Sequence, residues 1–441
     1  MDRQFFSYKE YTMEGTEKKK SALGWYFNTN LVFRILIALV LGSLVGIIFG
    51  DKVLWIRPFG DAFIRLLMMI MVPVIFSTLV VGAASVSPQQ LGKVGIRILL
   101  IYVFTSFAAV GTGLLAGAIF RPQVVLADFA ETAGRAAESP ALSTVLLNII
   151  PTNIVATVAS AQLLGIIFFT LCFGVAIAVL RGSSNERTKN AAETVFTVFD
   201  GIAEIMIKMV KGIMQYAPIG VFALMAHVFA ANGSKVVGGL LWAVLTAYVG
   251  YLAFVVIWYL LIWVKLIAGV SIKRFIMNSK EAFLTGFVTR SSAASMPITM
   301  ECAAKLGIPK NVYSFAIPLG ATINMDGTAI YQGVATTFVA LTVWGQALTM
   351  EQIGIVLIMS TLATIGTAGV PGGGAIMLLM VLTQLGLPVE AGTAVAAAYA
   401  MIFGIDALFD MCRTGINVVG DLVYLTGLTR RMGTLEMDKW K

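Results

Sequence analysis

The feature that most constrains this chain is a charged face inside an oily surrounding. Residues 404–421 read GIDALFDMCRTGINVVGD and carry Asp406, Asp410, Arg413, Thr414, Asn417 and Asp421. At about 100° per helical residue, all six fall within a stripe about 100° wide. The rest of the sequence is apolar: 58% of the residues are hydrophobic and only 12% are charged, about half the charged fraction of a soluble domain. Charges at membrane depth are costly, so a helix that keeps them turns them toward a partner, a cavity or a substrate. Such a face suits a small zwitterion and a cation. The plainer alternative is an internal Asp–Arg pair that ties helices together.

Long apolar runs recur along the whole length and predict an all-α polytopic membrane protein. Spans are expected near residues 30–50, 58–85, 95–120, 142–181, 192–231 and 236–268. Lys18 to Lys20, then Lys93 and Arg97, then Arg181, Arg187 and Lys189, then Lys265, Lys273 and Arg274 fall on alternate connections, whereas the 121–140 loop sets Asp128, Glu131 and Glu138 against Arg121 and Arg135. The positive-inside rule therefore predicts a cytoplasmic N-terminus and a cytoplasmic end to the sixth span. The polar N-terminal stretch lacks a short apolar run with a small-residue cleavage site, so no removable signal is expected. The net charge of +8 fits loop bias rather than nucleic-acid binding. Cys172, Cys302 and Cys412 are odd in number and scattered, which predicts buried free thiols. His227 is the single histidine, so a multi-histidine metal site is excluded. No nucleophile–base pair, metal cluster or nucleotide loop suggests an enzyme.

The last third breaks the simple pattern. Segment 275–304 has apolar flanks around TRSSAASMP (289–297) and basic residues on both sides; segment 350–386 has apolar arms around TAGVPGGGA (367–375) and is too long for one span. With span seven at 311–343 and span eight at 389–428, a basic tail (Arg430, Arg431, Lys439, Lys441) is cytoplasmic only if both segments enter and return on one side. The expectation is eight transmembrane helices plus two re-entrant hairpins arranged as inverted repeats. Irregular backbone at such depth is tolerated where protein buries it or where it lines a cavity, as in the binding sites of secondary transporters.

Within span seven, GATINMDGT (320–328) packs Asn324, Asp326 and Thr328 too densely for one face of an intact helix. An unwound turn there frees carbonyls for a hard cation; a simple kink with Asn324 and Asp326 as interhelical glue is the alternative. In the first tip, Arg290, Ser291 and Ser292 offer hydroxyls and N–H groups for a carboxylate, or form an ordinary polar turn. The glycine-rich second tip is flexible enough for a lid, with Val370 and Gly374 offering backbone contacts, or serves close helix packing. On span eight, Arg413 offers a planar fork for a carboxylate, Asp410 suits an ammonium, and Asn417 can satisfy a remaining polar group. Asp421 can join Asn324 at a cation. Asp61 and Arg65, spaced i, i+4, are expected to pair structurally. Tyr102, Thr105 and Ser106 carry no signal by themselves.

With NMDGT (324–328), the serine-bearing first tip, TAGVPG (367–372) and DMCRTGINVVGD (410–421), the chain resembles the dicarboxylate/amino acid:cation symporter family, the glutamate transporters and their prokaryotic homologues, over nearly its whole length. The resemblance implies a homotrimer in a cytoplasmic membrane with both termini cytoplasmic. Spans at 30–94 and 142–231 would form the scaffold. Residues 95–120 and 236–428 would form a moving transport domain, between a 1–29 segment and a 429–441 tail. It implies that Arg413 holds a substrate carboxylate and Asp410 the amino group. Arg290, Ser291, Ser292, Thr328, Val370, Gly374, Thr414 and Asn417 would complete the pocket. The implied cofactor-free coupling uses Na+ at three sets of ligands: Gly320, Asn324, Asn417 and Asp421; the carbonyls of Thr322, Met325, Thr364, Ile365 and Thr367; and Tyr102, Thr105, Ser106, Asn324 and Asp326. Two departures stand out. Ala293 and Ala294 replace part of the mammalian serine run, and Gln332 stands where mammalian members carry a glutamate linked to proton and potassium coupling, which argues against potassium exchange. C4-dicarboxylate carriers of the family generally lack an acid at the Asp410 position, so Asp410 beside Arg413 implies aspartate or glutamate. The expected function is Na+-coupled symport of an acidic amino acid by an elevator movement. A proton-coupled glutamate or C4-dicarboxylate symporter is the alternative on the same fold. A channel or receptor has little use for the Asp410–Arg413 pair.

Overall fold

A computed structural model describes residues 29–84, 93–124, 147, 149–365, 367, 369, 371–390 and 392–440. Among them every regular element is helical. The order is α1 (Leu31–Phe49), a 3-10 turn (Gly50–Ile56), α2 (Arg57–Ala84), α3 (Lys93–Phe120), α4 (Ile154–Ala159), α5 (Leu163–Arg181), α6 (Glu186–Asn232) and α7 (Lys235–Ala253), which widens into a π-helical stretch (Phe254–Ile267). Then follow α8 (Ile272–Thr289), α9 (Ser292–Lys305), α10 (Lys310–Ile323), α11 (Asp326–Trp344), α12 (Met350–Ile365), α13 (Gly373–Gln384), α14 (Ala394–Gly404) and α15 (Asp406–Arg431).

Among the described residues, four helical stretches are long and apolar enough to cross a membrane by themselves, at Phe33–Ala84, Gly95–Phe120, Glu186–Asn232 and Val236–Ile267. The expected fourth and eighth spans differ from expectation. What is described of residues 142–181 is broken between α4 and α5, and residues 389–428 are broken at Ile405, where α14 and α15 meet at a 61° bend. The seventh span is interrupted, as its polar cluster predicts, at Asn324, which is extended, and Met325, which is non-helical. At 14 residues, α10 reaches only ~21 Å, short of a hydrocarbon core of about 30 Å; joined end to end with α11 it is long enough. The N-terminal segment, the acidic part of the 121–140 loop and Val370 lie outside the described residues.

Two groups of helices form the packing. In one, α1, α2 and α5 pack on the long α6. In the other, α3 packs on α7, α11 and α12, while α15 packs on α8, α9, α10 and α11. The α3–α11 contact is close because glycines meet backbone: a β-carbon at Gly113 would overlap the Ile330 carbonyl, and one at Gly333 would lie 2.7 Å from the Leu114 nitrogen. Contacts of α14 with α6 and of α13 with α2 bridge the groups.

Beyond α15 the chain turns at Gly433 and straps the base of the α8–α9 hairpin. The Glu436 N–H donates to the Gly307 carbonyl at 2.9 Å. Lys439 Nζ donates to the Ala304 carbonyl at 2.9 Å and the buried Trp440 Nε1 to the Leu306 carbonyl at 2.8 Å. Asp61 pairs with Arg57 at 3.5 Å, not with Arg65, which is exposed; the partner lies one turn before Asp61 instead of one turn after. Cys302 is buried as expected, but Cys172 is exposed and Cys412 half-buried, because Cys172 sits on the outward face of α5.

Candidate substrate and cation site

The two hairpin turns meet the start of α15. Thr289 ends α8, and Arg290 takes a left-handed conformation at φ 55. Such a backbone is costly for a residue with a β-carbon and marks a position held by its surroundings. It turns the chain so that Ser291 can cap α9, its side chain accepting from the Ala294 N–H, as serine does at helix starts. The Ser291 hydroxyl also donates to the Gly369 carbonyl of the second turn at 2.8 Å. The second turn is closed by Gly372, at φ 82, which precedes α13. A β-carbon at Gly374 would lie 2.9 Å from the Arg413 guanidinium carbon, so glycine there lets the backbone approach the charge.

Four buried charged side chains run in a chain through this junction. Arg413 Nη1 and Nη2 donate to the two Asp406 oxygens at 2.8 and 3.3 Å. Its Nε donates to Asp410 Oδ1 at 2.9 Å. The other Asp410 oxygen accepts from Arg290 Nε at 2.8 Å and from the Gly372 N–H at 3.3 Å. Thr414 Oγ1 stands 3.4 Å from Asp410, and the Arg413 guanidinium lies 4.7 Å from the centre of the Tyr331 ring, within cation–π range. All four charged residues are at most 4% exposed. A small polar pocket opens beside them, lined among others by Ser292, Thr328, Gly374, Thr414 and Asn417. Asn417 links the layers: its Nδ2 donates to Thr328 Oγ1 at 3.2 Å and its Oδ1 accepts from the Gly327 N–H at 2.8 Å. Eight of the substrate residues named from sequence thus line one cavity: Arg290, Ser292, Thr328, Gly374, Asp410, Arg413, Thr414 and Asn417. Ser291 sits at the turn itself.

A second buried layer lies toward the α10–α11 break. Asn324 Nδ2 donates to Asp421 Oδ1 at 2.9 Å, and a β-carbon at Gly320 would overlap that carboxylate. The Tyr102 hydroxyl lies beside Asp421 and contacts the Ala316 carbonyl at 3.4 Å. The Thr105 and Ser106 hydroxyls lie beside Asp326. Ser106 Oγ, Asn324 Oδ1 and Asp326 Oδ1 are buried, and none completes a hydrogen bond among the described residues. Buried oxygens are normally satisfied, and a cluster of bare oxygens around a carboxylate has the donor chemistry of a hard-cation site. The carbonyl set is placed less distinctively. Met325 and Thr364 carbonyls already accept backbone N–H groups from Ala329 and Thr367, at 2.9 and 3.3 Å. The Thr322 hydroxyl turns back to Leu319 at 2.9 Å, and Ile365 is half-buried at the end of α12. Thr367 is buried and its hydroxyl donates to the Ala363 carbonyl at 2.8 Å.

Sequence reasoning missed several participants. Asp406 was visible on the polar stripe, but its bidentate hold on Arg413 depends on the bend at Ile405. The Arg290 side chain, read only for its backbone, reaches Asp410. Tyr259 Oη donates to Asp326 Oδ2 at 2.9 Å, and Tyr424 Oη donates to the same oxygen. The two tyrosines look like any other aromatic of an apolar helix, although Tyr424 follows Asp421 by one turn.

The family model described as Sodium:dicarboxylate symporter family matches residues 31–430. The chain is 33% identical to the proton/glutamate-aspartate symporter of Bacillus subtilis, over 93% of this chain and 97% of that one. It is 33% identical to the proton/sodium-glutamate symport protein of Bacillus caldotenax, covering 93% and 96% of the two chains. Identity to C4-dicarboxylate transport protein 1 of Bradyrhizobium sp. is 32%, covering 93% and 91%.

Proposed function

The chain belongs to the sodium:dicarboxylate symporter family, and from that premise we propose that it carries an acidic amino acid, aspartate or glutamate, across a cytoplasmic membrane together with Na+. It is a membrane symporter, not an enzyme. The observation that supports this substrate class is Asp410, shared between Arg413 and the Arg290 and Gly372 groups of the two turns. Breaking a buried ion pair without replacing the lost partner is strongly unfavourable. An acidic amino acid offers Arg413 and Asp410 each a counter-charge: its side-chain carboxylate joins the Arg413 fork, and its ammonium joins Asp410. Ser292, Thr328, Thr414 and Asn417, with backbone at Arg290, Ser291, Val370 and Gly374, serve the remaining polar atoms. A C4-dicarboxylate offers Asp410 no cation.

Two further carboxylates explain the need for a coupling ion. Among the described residues, Asp326 and Asp421 are buried and no ion pair reaches either. A buried uncompensated carboxylate is unfavourable, so a cation is expected at each, and the third set lies among the carbonyls at Thr322, Met325, Thr364, Ile365 and Thr367. Substrate and Na+ each favour the closed second hairpin, so each raises the affinity for the other by linkage. In this reading the α8–α9 and α12–α13 pairs are re-entrant hairpins completing an eight-span fold. Residues 30–94 and 142–231 form the scaffold of a homotrimer, residues 95–120 and 236–428 move as an elevator, and both termini are cytoplasmic.

Protons could compensate the same carboxylates; one similar protein is named a proton symporter, another a proton/sodium symport protein and a third a C4-dicarboxylate transport protein, which supports a proton-coupled glutamate or C4-dicarboxylate symporter as the second reading. Calorimetric titration of the purified protein with aspartate, glutamate, succinate and serine, with and without Na+ at fixed pH, separates them. Binding of aspartate or glutamate that requires Na+ is expected. Binding indifferent to Na+, or tightest for succinate, would overturn the reading.

A further inference from the structure

We infer that Tyr259 and Tyr424 are positioning residues for the coupling cation: together they hold one oxygen of Asp326 and leave the other, which like Ser106 Oγ and Asn324 Oδ1 completes no hydrogen bond among the described residues, free for the ion. The inference rests on the proposed cation role of Asp326 and deepens it. Both hydroxyls address Oδ2, whereas Oδ1 completes no hydrogen bond. A carboxylate restrained on one side by two donors from different helices keeps one rotamer, and a preformed ligand set binds its ion without first being ordered.

The phenols are themselves fixed. The Tyr424 ring packs edge-on against Tyr259 at 5.6 Å and against Trp263 at 4.9 Å, and lies 6.1 Å from Tyr102. Tyr259 and Trp263 both come from the π-helical stretch of α7, a form of helix often found at functional sites. Gly420 provides the space. A β-carbon there would overlap the Tyr259 hydroxyl and lie 3.0 Å from Asn324 Nδ2. One small residue on α15 therefore admits the phenol of α7 beside the helix break of α10 and α11.

The alternative is that the phenols merely satisfy a buried carboxylate. Tyr424→Phe and Tyr259→Phe keep the packed rings and remove only the hydroxyls; Gly420→Ala displaces Tyr259 by another route. Two titrations are run on each folded variant: Na+ at fixed substrate, and substrate at saturating Na+. We expect the Na+ half-saturation to rise about tenfold in each Phe variant, the scale of one hydrogen bond to a charged group, with substrate affinity at saturating Na+ within about twofold of the parent. Gly420→Ala shifts Na+ in the same direction. An unchanged or lower Na+ half-saturation in both Phe variants, in a background whose binding requires Na+, overturns this inference alone. Binding by the parent chain that ignores Na+ overturns the sodium reading beneath it.

Discussion

The charged residues of this protein act as a matched set. Arg413 is held by two carboxylates and an aromatic face, so its fork is aimed before any ligand arrives. Arg413→Lys keeps the charge but loses the planar fork. We expect acidic substrate affinity to fall by at least about thirtyfold, read by calorimetry, with the protein still folded. Asp421→Asn should weaken the Na+ dependence of binding, and Gly320→Ala should do the same without changing charge, since a methyl there meets the carboxylate; an unshifted Na+ titration in both would remove Asp421 from the cation set. At this scale much was legible. The stripe 404–421 announced itself because charge is conspicuous in an apolar chain and helical period fixes which residues share a face. Tyr259 and Tyr424 were not legible, because an aromatic residue carries no mark of whether its hydroxyl finds a partner.

Helix breaks determine where those residues meet. Sequence exposed the interruptions that carry their own cause: GATINMDGT is too polar for a helix side, and GVPGGG cannot continue one. It did not expose the bend at Ile405, although Gly404 before it and Asp406 after it are both poor helix formers, or the break between α4 and α5. Nor did it expose the π-helical widening of α7. The contact from Ser291 to Gly369 joins one turn to the other. Ser291→Ala removes that bond and the cap of α9, a loss of about 1 kcal/mol for the cap. Faster hydrogen exchange at residues 369–374 is the expected result, and unchanged protection would show that the two turns are held by other contacts.

The molecule as a whole is two helix groups with few bridges, one gathered on α6 and the other around α11 and α15. Nearly all the candidate polar machinery sits in the second group. The C-terminal strap belongs to that group as well, fastening three carbonyls at the hairpin base. Removal of residues 434–441 would leave those carbonyls and the Trp440 niche open. A thermal midpoint lower by several degrees is expected, and an unaltered midpoint would show that the tail rides on the hairpin without supporting it. The practical reach of this feature extends to protein engineering: an affinity handle or fluorescent reporter fused behind Lys441 is separated from a docked indole by a single residue, and its tether would tug at the floor beneath the first turn.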